Sequence, residues 1–284
     1  MNQPDVETPG ATALRKPSII VDNGTARIGG SRLFAGTMDE LVDLLFDKMR
    51  RLEEPQLLIT VNVDQILLLK NDADWRRVFA SAKCHTADGM PVVFLSRALG
   101  ARNLNRLTGA DLLVSASESA AKTGARVALV GGSDSVRGRA ESILRQKARA
   151  LSIAGFGLPL LASADDPQSA EAVQRLREFR PDIVFICLGA PKQELWFEHW
   201  REDLPAAMYV GAGASMDFVA GRARRAPLWA QRVGAEWVFR LAQEPRRLAH
   251  RYLIRGPQFA TVILRSLASA RRKKVVSIEL DRRR

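Results

Sequence analysis

The chain has 284 residues, of which 46% are hydrophobic and 26% charged, so it can bury a full core and has the composition of a soluble globular protein. Its two cysteines, Cys84 and Cys187, are too few for a disulfide framework. No stretch approaches the roughly 20 apolar residues that span a bilayer. The first residues lack the basic start and apolar run of a signal peptide, so we expect a cytoplasmic protein.

The positive charge is concentrated at one end of the chain. Residues 222–284 hold 17 Lys and Arg against 4 Asp and Glu, whereas residues 1–221 hold 26 against 27. Because a basic segment attracts polyanions, this distribution predicts a nearly neutral domain with a basic tail. The tail could bind nucleic acid, an anionic membrane surface or the phosphates of a substrate.

The first half of the chain combines apolar strands with amphipathic helices. Residues 1–17 are polar, with scattered Pro and Gly, and are predicted to be disordered. Residues 18–28 carry a hairpin signal centred on Asn23-Gly24. The predicted elements that follow are a strand at 57–61 and helices at 37–53, around 67–69, at 74–82, 91–99 and 111–122.

The second half alternates strand and helix more regularly. Strands are predicted at 127–130, 151–154, 181–188 and 207–210. Continuous apolar strands that alternate with helices indicate a mainly parallel sheet covered on both faces. We therefore predict a Rossmann-like α/β fold, with residues 18–221 forming the α/β domain.

After residue 221 the pattern becomes wholly helical. A stripe of apolar residues recurs at every fourth position, namely Trp229, Val233, Trp237 and Leu241. This spacing favours burial of one helical face over a role for the tryptophans as membrane anchors. Pro245 can start a second helix that ends at Gly256, and a third is predicted from 258 to 270. We predict that residues 222–284 form a basic helical appendage.

Small or polar residues follow four of the predicted strands. They are Thr60 and Asn62, Gly131 and Gly132, Gly189 to Gln193, and Gly211 to Ser215. In an open α/β sheet, ligands bind at the carboxyl ends of the strands, where helix N-termini attract phosphate. These strand ends predict a nucleotide or nucleotide-sugar ligand. The dinucleotide-binding glycine fingerprint is absent from the strand-to-helix turns, which argues against a reductase.

Three side chains have both a structural and a functional interpretation. Asp88 is either an ordinary turn residue or a general base. Arg106 either grips a phosphate or forms a surface salt bridge, and Gln193 either binds a sugar or uracil edge or caps its own helix. Asp72-Ala73-Asp74 has the letters of a metal-binding DxD motif, but its position before a helix favours helix-start charge.

Several of these segments occur together in a recognisable order. They are Thr60-Val61-Asn62, Asp88-Gly89-Met90-Pro91, Arg-Leu-Thr-Gly-Ala-Asp at 106–111, Gly-Ala-Pro-Lys-Gln-Glu at 189–194, Gly-Ala-Gly-Ala-Ser at 211–215, residues 220–227, Glu236-Trp237 and residues 244–247. In this order they resemble the WecG/TagA/CpsF glycosyltransferases, over about residues 19–253. The ensemble is specific, although no single segment is.

The resemblance implies an inverting, metal-independent transferase without a cofactor. It would move a hexose, such as ManNAc or glucose, from a UDP-sugar to a polyprenyl-diphosphate-linked saccharide of a surface glycan, such as an exopolysaccharide, O-antigen or teichoic acid. Asp88 matches the proposed catalytic base. The expected substrate-binding residues, from the resemblance and from the strand ends, are Thr60, Asn62, Arg106, Asp111, Gln193, Gly131, Gly132, Gly189, Gly211, Arg222, Arg225, Arg246, Arg247 and Arg251.

The expected partners are the two substrates and the anionic cytoplasmic face of the inner membrane, and a homo-oligomer is compatible with the sequence. The competing interpretation is a nucleic-acid-binding protein whose basic tail contacts phosphates. Aromatic residues are sparse in the distal basic segment, and we find no groove-reading motif, so we do not expect a nucleic-acid partner.

Overall fold

A computed structural model describes residues 14–158, 166 and 169–282. Its centre is a six-stranded, all-parallel sheet. Its strands are β4 (Gln56–Val61), β5 (Cys84–Ala87), β6 (Arg126–Val130), β7 (Ser152–Phe156), β8 (Ile183–Ile186) and β9 (Met208–Gly211). Within the sheet they lie in the order β5-β4-β9-β8-β6-β7. The predicted α/β fold is confirmed.

A small antiparallel sheet precedes the large one. It consists of β1 (Ile19–Asp22), β2 (Thr25–Ile28) and β3 (Ser31–Arg32), and Asn23 and Gly24 both have positive φ at the β1–β2 turn. The predicted hairpin is therefore confirmed. Of the predicted disordered tail, residues 1–13 lie outside the described residues. Leu14 is fully buried in the core, so for this residue the prediction of disorder is wrong.

Helices cover both faces of the large sheet. They are α1 (Met38–Met49), α2 (Val63–Leu68), α3 (Ala73–Ser81), α4 (Met90–Ala98), α5 (Gly109–Thr123), α6 (Asp134–Lys147), α7 (Ser169–Phe179), α8 (Lys192–Trp200) and α9 (Ser215–Val219). Alternate residues of β8 enter two separate cores: Val184 and Ile186 face α2, α3, α7 and α8, and Ile183 and Phe185 face α1, α5 and α6. The strands are apolar throughout because both of their faces are buried.

Several helices begin where a polar side chain satisfies their free N–H groups. Thr37 and Asn62 each form a reciprocal capping box, with Glu40 and Gln65 respectively. Asp72 accepts a hydrogen bond from the Trp75 N–H and caps α3. The interpretation of Asp72-Ala73-Asp74 as helix-start charge is thus confirmed.

Two features differ from the sequence-based expectation. Strand β5 was not predicted, because its four residues include the polar His85 and Thr86, and both are buried. The apolar stripe at 229–241 is not one buried helical face: Trp229 is 67% exposed and Val233 is 62% exposed. Gly234 adopts a φ of +77° and interrupts the predicted helix, because the left-handed conformation ends helices.

The C-terminal segment, residues 222–282, consists of short helices followed by a long one. They are α10 (Leu228–Arg232), α11 (Glu236–Gln243), α12 (Pro245–Ala249), a π-helix (His250–Arg255), a 3₁₀ turn (Gly256–Gln258) and α13 (Phe259–Arg282). Helix α13 packs on β1, and its Phe259 and Val262 belong to the larger core. The Ser266 hydroxyl also accepts a hydrogen bond from the Ile19 N–H, at 2.8 Å. The first part of α13 is therefore anchored in the α/β domain.

Among the described residues, none of the helices is both long enough and apolar enough to cross a membrane.

Candidate functional site

A cavity of about 500 Å³ lies between the carboxyl ends of β4 and β5 and the C-terminal segment. The α/β domain contributes Asn62, Val63, Asp64, Leu67, Asp88, Gly89, Met90, Pro91 and Arg106. The C-terminal segment contributes Gly234, Glu236, Trp237, Arg240, Tyr252, Leu253, Gly256, Pro257 and Phe259. This volume lies within the range of small-molecule sites, and the position matches the strand-end rule for open α/β sheets.

Asp88 lies directly after β5 and lines this cavity. Its backbone N–H donates to the Val61 carbonyl at 2.8 Å, which continues the pairing of β4 and β5 by one residue. Burial raises the pKa of the Asp88 carboxyl to about 6. Arg106 and Arg240 lower this pKa and Glu236 raises it, so charges from both walls act on the same carboxyl. A carboxyl with a pKa near 6 is suited to act as a general base at neutral pH.

Arg106 joins the two walls of the cavity. It pairs with Ala87 through an isolated parallel bridge, which places it beside Asp88. Its guanidinium donates to a Glu236 carboxylate oxygen at 2.9 Å and to Gln231 Oε1 at 2.6 Å. The sequence left two alternatives open for Arg106, a phosphate contact and a salt bridge. In this structure it lines the cavity and forms an ion pair whose partner lies in the C-terminal segment.

Arg225 and Asp111 form a second ion pair across the same boundary. The two guanidinium Nη atoms contact both Asp111 carboxylate oxygens, and Nη2 also lies 3.4 Å from Thr108 Oγ1. Burial alone would raise the pKa of Asp111, but hydrogen bonds from Arg225 and Thr108 lower it below its ordinary value. Neither residue lines the cavity. The ion pair between them holds the segment that carries Glu236 and Arg240 against the α/β domain.

A buried hydrogen-bond network connects the cavity to the central strand ends. Asn62 and Gln65 cap each other, and Gln65 Nε2 donates to Glu194 Oε1 at 3.0 Å. Gln193 Nε2 donates to the same Glu194 oxygen at 2.8 Å, while Gln193 Oε1 accepts from the Gly189 and Gly213 N–H groups. Glu194 is fully buried, and burial raises its pKa to about 7. Gln193 therefore ties the loops after β8 and β9 together and does not line the cavity.

The remaining predicted strand-end residues also lie outside the cavity. The Thr60 hydroxyl donates to the Gly211 carbonyl at 2.8 Å, which ties β4 to β9. A Cβ at Gly211 would lie 2.7 Å from the side chains of Gln193 and Glu194. Gly131 has a φ of +94°, and its Cβ would meet Leu188 at 2.8 Å. These positions need glycine for close packing, a reason that is independent of any phosphate.

The glycines at the ends of β6 and β8 are separated from Asp88 by the sheet order. Strands β9, β8 and β6 follow β4 in that order, so Gly132 and Gly189 lie away from the β5 edge. Arg137 covers the turn after β6, where it donates to the Gly132 carbonyl at 2.6 Å. The structure brings Asn62, Asp88 and Arg106 into one cavity and places the predicted glycines outside it.

The described side chains among the predicted arginines of the C-terminal segment lie outside the cavity lining. Arg222 is exposed and lies 3.6 Å from Asp217, and Arg246 is exposed on α12. Of Arg247 and Arg251, only the backbone position, on α12 and on the π-helix, is described. Among the arginine side chains of this segment that the structure describes, Arg240 lines the cavity.

Most of the cavity-lining residues of the C-terminal segment were not predicted from the sequence. Arg240, Tyr252 and Leu253 were not predicted as site residues, although Glu236-Trp237 was among the segments that carried the family resemblance. Trp237 stacks at an angle on Tyr252, with the ring centroids 5.9 Å apart. A π-helix is a rare element that often occurs at functional sites, but its hydrogen-bond pattern has no recognisable signature in the sequence.

Within the described parts of the chain, no cluster of three or more His, Cys, Asp or Glu side chains is arranged to hold a metal ion. The fold is an open α/β sheet with a cavity at the carboxyl ends of its strands, and a carboxyl with a raised pKa lines that cavity. The family model described as "Glycosyl transferase WecG/TagA/CpsF family" matches residues 26–273. The chain therefore belongs to this family, and it is a glycosyltransferase of surface-glycan biosynthesis.

Proposed function

We propose that this protein transfers a hexose from a UDP-sugar to a polyprenyl-diphosphate-linked saccharide, with inversion and without a metal ion. The observation that carries the proposal is Asp88, a carboxyl with a raised pKa that faces a cavity also lined by Arg106 and Arg240. A base and two cations in one cavity provide what the transfer of a sugar from a diphosphate leaving group requires.

In this mechanism Asp88 accepts the proton of an acceptor hydroxyl while that oxygen attacks the anomeric carbon of the donor. The new C–O bond forms on the face opposite UDP, which leaves with the electron pair of the broken bond. The guanidinium groups of Arg106 and Arg240 stabilise the negative charge of the diphosphate groups in the cavity. Arg106 would exchange its contact with the Glu236 carboxylate for one with a phosphate, because a guanidinium group binds carboxylate and phosphate oxygens alike.

The proposed location is the cytoplasmic face of the inner membrane. The support is the combination of 17 Lys and Arg with exposed apolar side chains in the same C-terminal segment, including Trp229 and Leu228. Basic residues near an anionic membrane surface contribute about 1 kcal/mol each, and tryptophan favours the interface between lipid and water. The acceptor would reach Asp88 from this surface.

The test is transfer from a panel of UDP-sugars to a lipid-diphosphate-linked saccharide in anionic vesicles, with EDTA present. We expect turnover with one donor and a product with inverted anomeric configuration by NMR. Asp88→Asn should lower kcat by about 10²- to 10⁴-fold, the range for the loss of a general base. It should keep the wild-type circular dichroism spectrum.

Asp74→Asn is the matched control, because Asp74 is 65% exposed on α3 and lies outside the cavity. It should retain wild-type turnover. Full activity of Asp88→Asn would refute the assignment of the base, and complete loss of activity in EDTA would refute metal independence. Retention of the donor's anomeric configuration would refute inversion.

A further inference from the structure

The cavity has two chemically different ends. Asp88, Arg106, Glu236 and Arg240 lie at one end, where their charges act on the Asp88 carboxyl. The other end lies between α2 and the π-helix with its 3₁₀ turn, and these elements contact each other directly. Its walls carry Val63, Leu67, Tyr252, Leu253, Pro257 and Phe259. Trp237 connects the two ends, because it follows Glu236 in sequence and contacts the Tyr252 ring.

The apolar end opens to the surface. Leu253 lines the cavity and is 57% exposed, and its neighbour Ile254 is 59% exposed. Leu67 and Phe259, in contrast, are buried, which places them deeper in the wall. The Asp64–Arg255 ion pair, at 3.1 Å, holds α2 against the π-helix and so fixes the width of this end.

The apolar end offers a sugar few hydrogen bonds, because its Asp64 carboxylate is paired with Arg255 and its other walls, apart from the Tyr252 hydroxyl, are apolar. Its aliphatic side chains make no hydrogen bonds, and Pro257 has no N–H group, so a hydroxyl placed among them would lose its bonds to water. An apolar wall next to cations suits instead a molecule in which a hydrocarbon chain is attached to a phosphate. The charged end carries a carboxyl and two guanidinium groups, and Trp237 joins it to the apolar end. A linear acceptor would place its hydroxyl and diphosphate at the first end and its isoprenoid at the second.

We propose that the apolar end of the cavity binds the isoprenoid units next to the diphosphate of the acceptor, with Leu253 as the specificity-determining contact at its mouth. This inference rests on the proposed function, since it takes the acceptor to be a polyprenyl diphosphate. The enzyme thereby recognises the lipid itself within the protein, in addition to any contact between the C-terminal segment and the bilayer.

The experiment uses acceptors with one saccharide and one diphosphate that differ only in the lipid: a methyl group, two isoprenoid units or four. The assay is run in solution, without vesicles or detergent micelles. For the wild type we expect kcat/KM to rise at least about 10-fold from the methyl acceptor to the two-unit acceptor, because each CH₂ group removed from water strengthens binding about fourfold. Equal values for the two acceptors would overturn the inference.

Leu253→Ser should remove most of this gain, measured as the ratio of kcat/KM for the two-unit acceptor to kcat/KM for the methyl acceptor. The matched control is Leu264→Ser, because Leu264 is 67% exposed in the same C-terminal segment but does not line the cavity. This control should keep the gain. An equal fall of this ratio in both variants would show a general surface effect, and an unchanged ratio in Leu253→Ser would show that Leu253 does not contact the lipid. Either result would overturn the inference.

A binding measurement separates failure of this inference from failure of the proposed function. Trp237 lies at the junction of the two ends, so tryptophan fluorescence should change when a two-unit prenyl diphosphate without a sugar binds. Binding that is weakened at least about fivefold by Leu253→Ser, together with no transfer to any acceptor, would support the lipid site and refute the proposed reaction. Transfer whose kcat/KM does not depend on the length of the acceptor's isoprenoid chain would support the proposed reaction and refute the lipid site.

Discussion

The α/β domain and the C-terminal segment bury their apolar residues very differently. Among the described residues of the α/β domain, only Ile20 and Phe94 are large apolar side chains with high exposure. In the described part of the C-terminal segment the exposed ones are Leu228, Trp229, Val233, Trp237, Val238, Phe239, Leu253, Ile254, Leu264 and Leu267. Helix α11 contains no buried residue. Soluble proteins rarely expose so much apolar surface unless another surface covers it.

Beside the apolar packing of α13, three ion pairs join the two regions, and the cavity lies at their junction. Arg106–Glu236, Arg225–Asp111 and Arg255–Asp64 each join one residue of the α/β domain to one of the C-terminal segment. The base candidate belongs to the α/β domain, whereas half of the residues that line the cavity belong to the C-terminal segment. The chemistry therefore depends on how the second region is held against the first.

Breaking the Arg225–Asp111 ion pair should have the largest effect on this junction. Arg225→Ala should lower kcat/KM by about 10- to 100-fold, because a displacement of about 1 Å of Glu236 and Arg240 is enough to disturb the cavity. The measurement is steady-state transfer, with circular dichroism to confirm the fold. Arg224→Ala is the control, since Arg224 is exposed and adjacent in sequence. If both variants lose the same activity, the ion pair does not position the segment.

Removing basic charge should weaken membrane binding more gradually. Arg271→Gln and Arg272→Gln, both at exposed positions of α13, should each reduce cosedimentation with anionic vesicles about fivefold, which corresponds to about 1 kcal/mol per charge. Added salt should abolish the difference. Arg149→Gln, at an exposed position of the α/β domain, should bind as the wild type. Equal weakening by Arg149→Gln would mean that the C-terminal segment is not the membrane-binding region.

The pH profile can show whether both regions act on Asp88. Transfer should increase as pH rises through about 6, since a base must lose its proton before it can accept another. Arg106→Gln removes a charge that lowers the Asp88 pKa, so the acid limb should move up by as much as about one pH unit. Glu236→Gln removes a charge that raises it, so the limb should move down. Shifts of the same sign in both variants would argue against Asp88 as the titrating group.

Glu194 lies deep in the α/β domain, away from the junction, and its substitution should change the pH dependence of folding stability. Burial raises its pKa from an ordinary value of 4.5 to about 7, so its protonated form stabilises the fold below pH 4.5 and this stability is lost as pH rises through 7. Glu194→Gln cannot ionise and should lose less stability than the wild type between pH 5 and 8.5. We expect a difference of about 1–3 kcal/mol in chemical unfolding. A pH-independent difference would exclude ionisation as its cause.

Local signals in the sequence predicted most of the elements correctly. Thr37, Asn62 and Asp72 begin helices because their side chains accept hydrogen bonds from N–H groups three residues away, a contact that short-range sequence encodes. The apolar strands were predictable because both faces of the sheet are buried. Strand β5 was missed because its buried residues are partly polar, and their burial depends on neighbours from distant segments: the Thr86 hydroxyl donates to the Leu107 carbonyl.

The sequence by itself thus determined the alternation of strands and helices, the basic C-terminal segment and the family, which fixes Asp88 as the base candidate. Only the tertiary structure decided which strand ends share a cavity. Gly131 and Gly189 look as suitable as Asn62 in the sequence, but the strand order places them away from β5. It also decided that Glu236 and Arg240 face Asp88, across about 150 residues of chain. Such contacts arise from the packing of whole elements, and no local pattern specifies them.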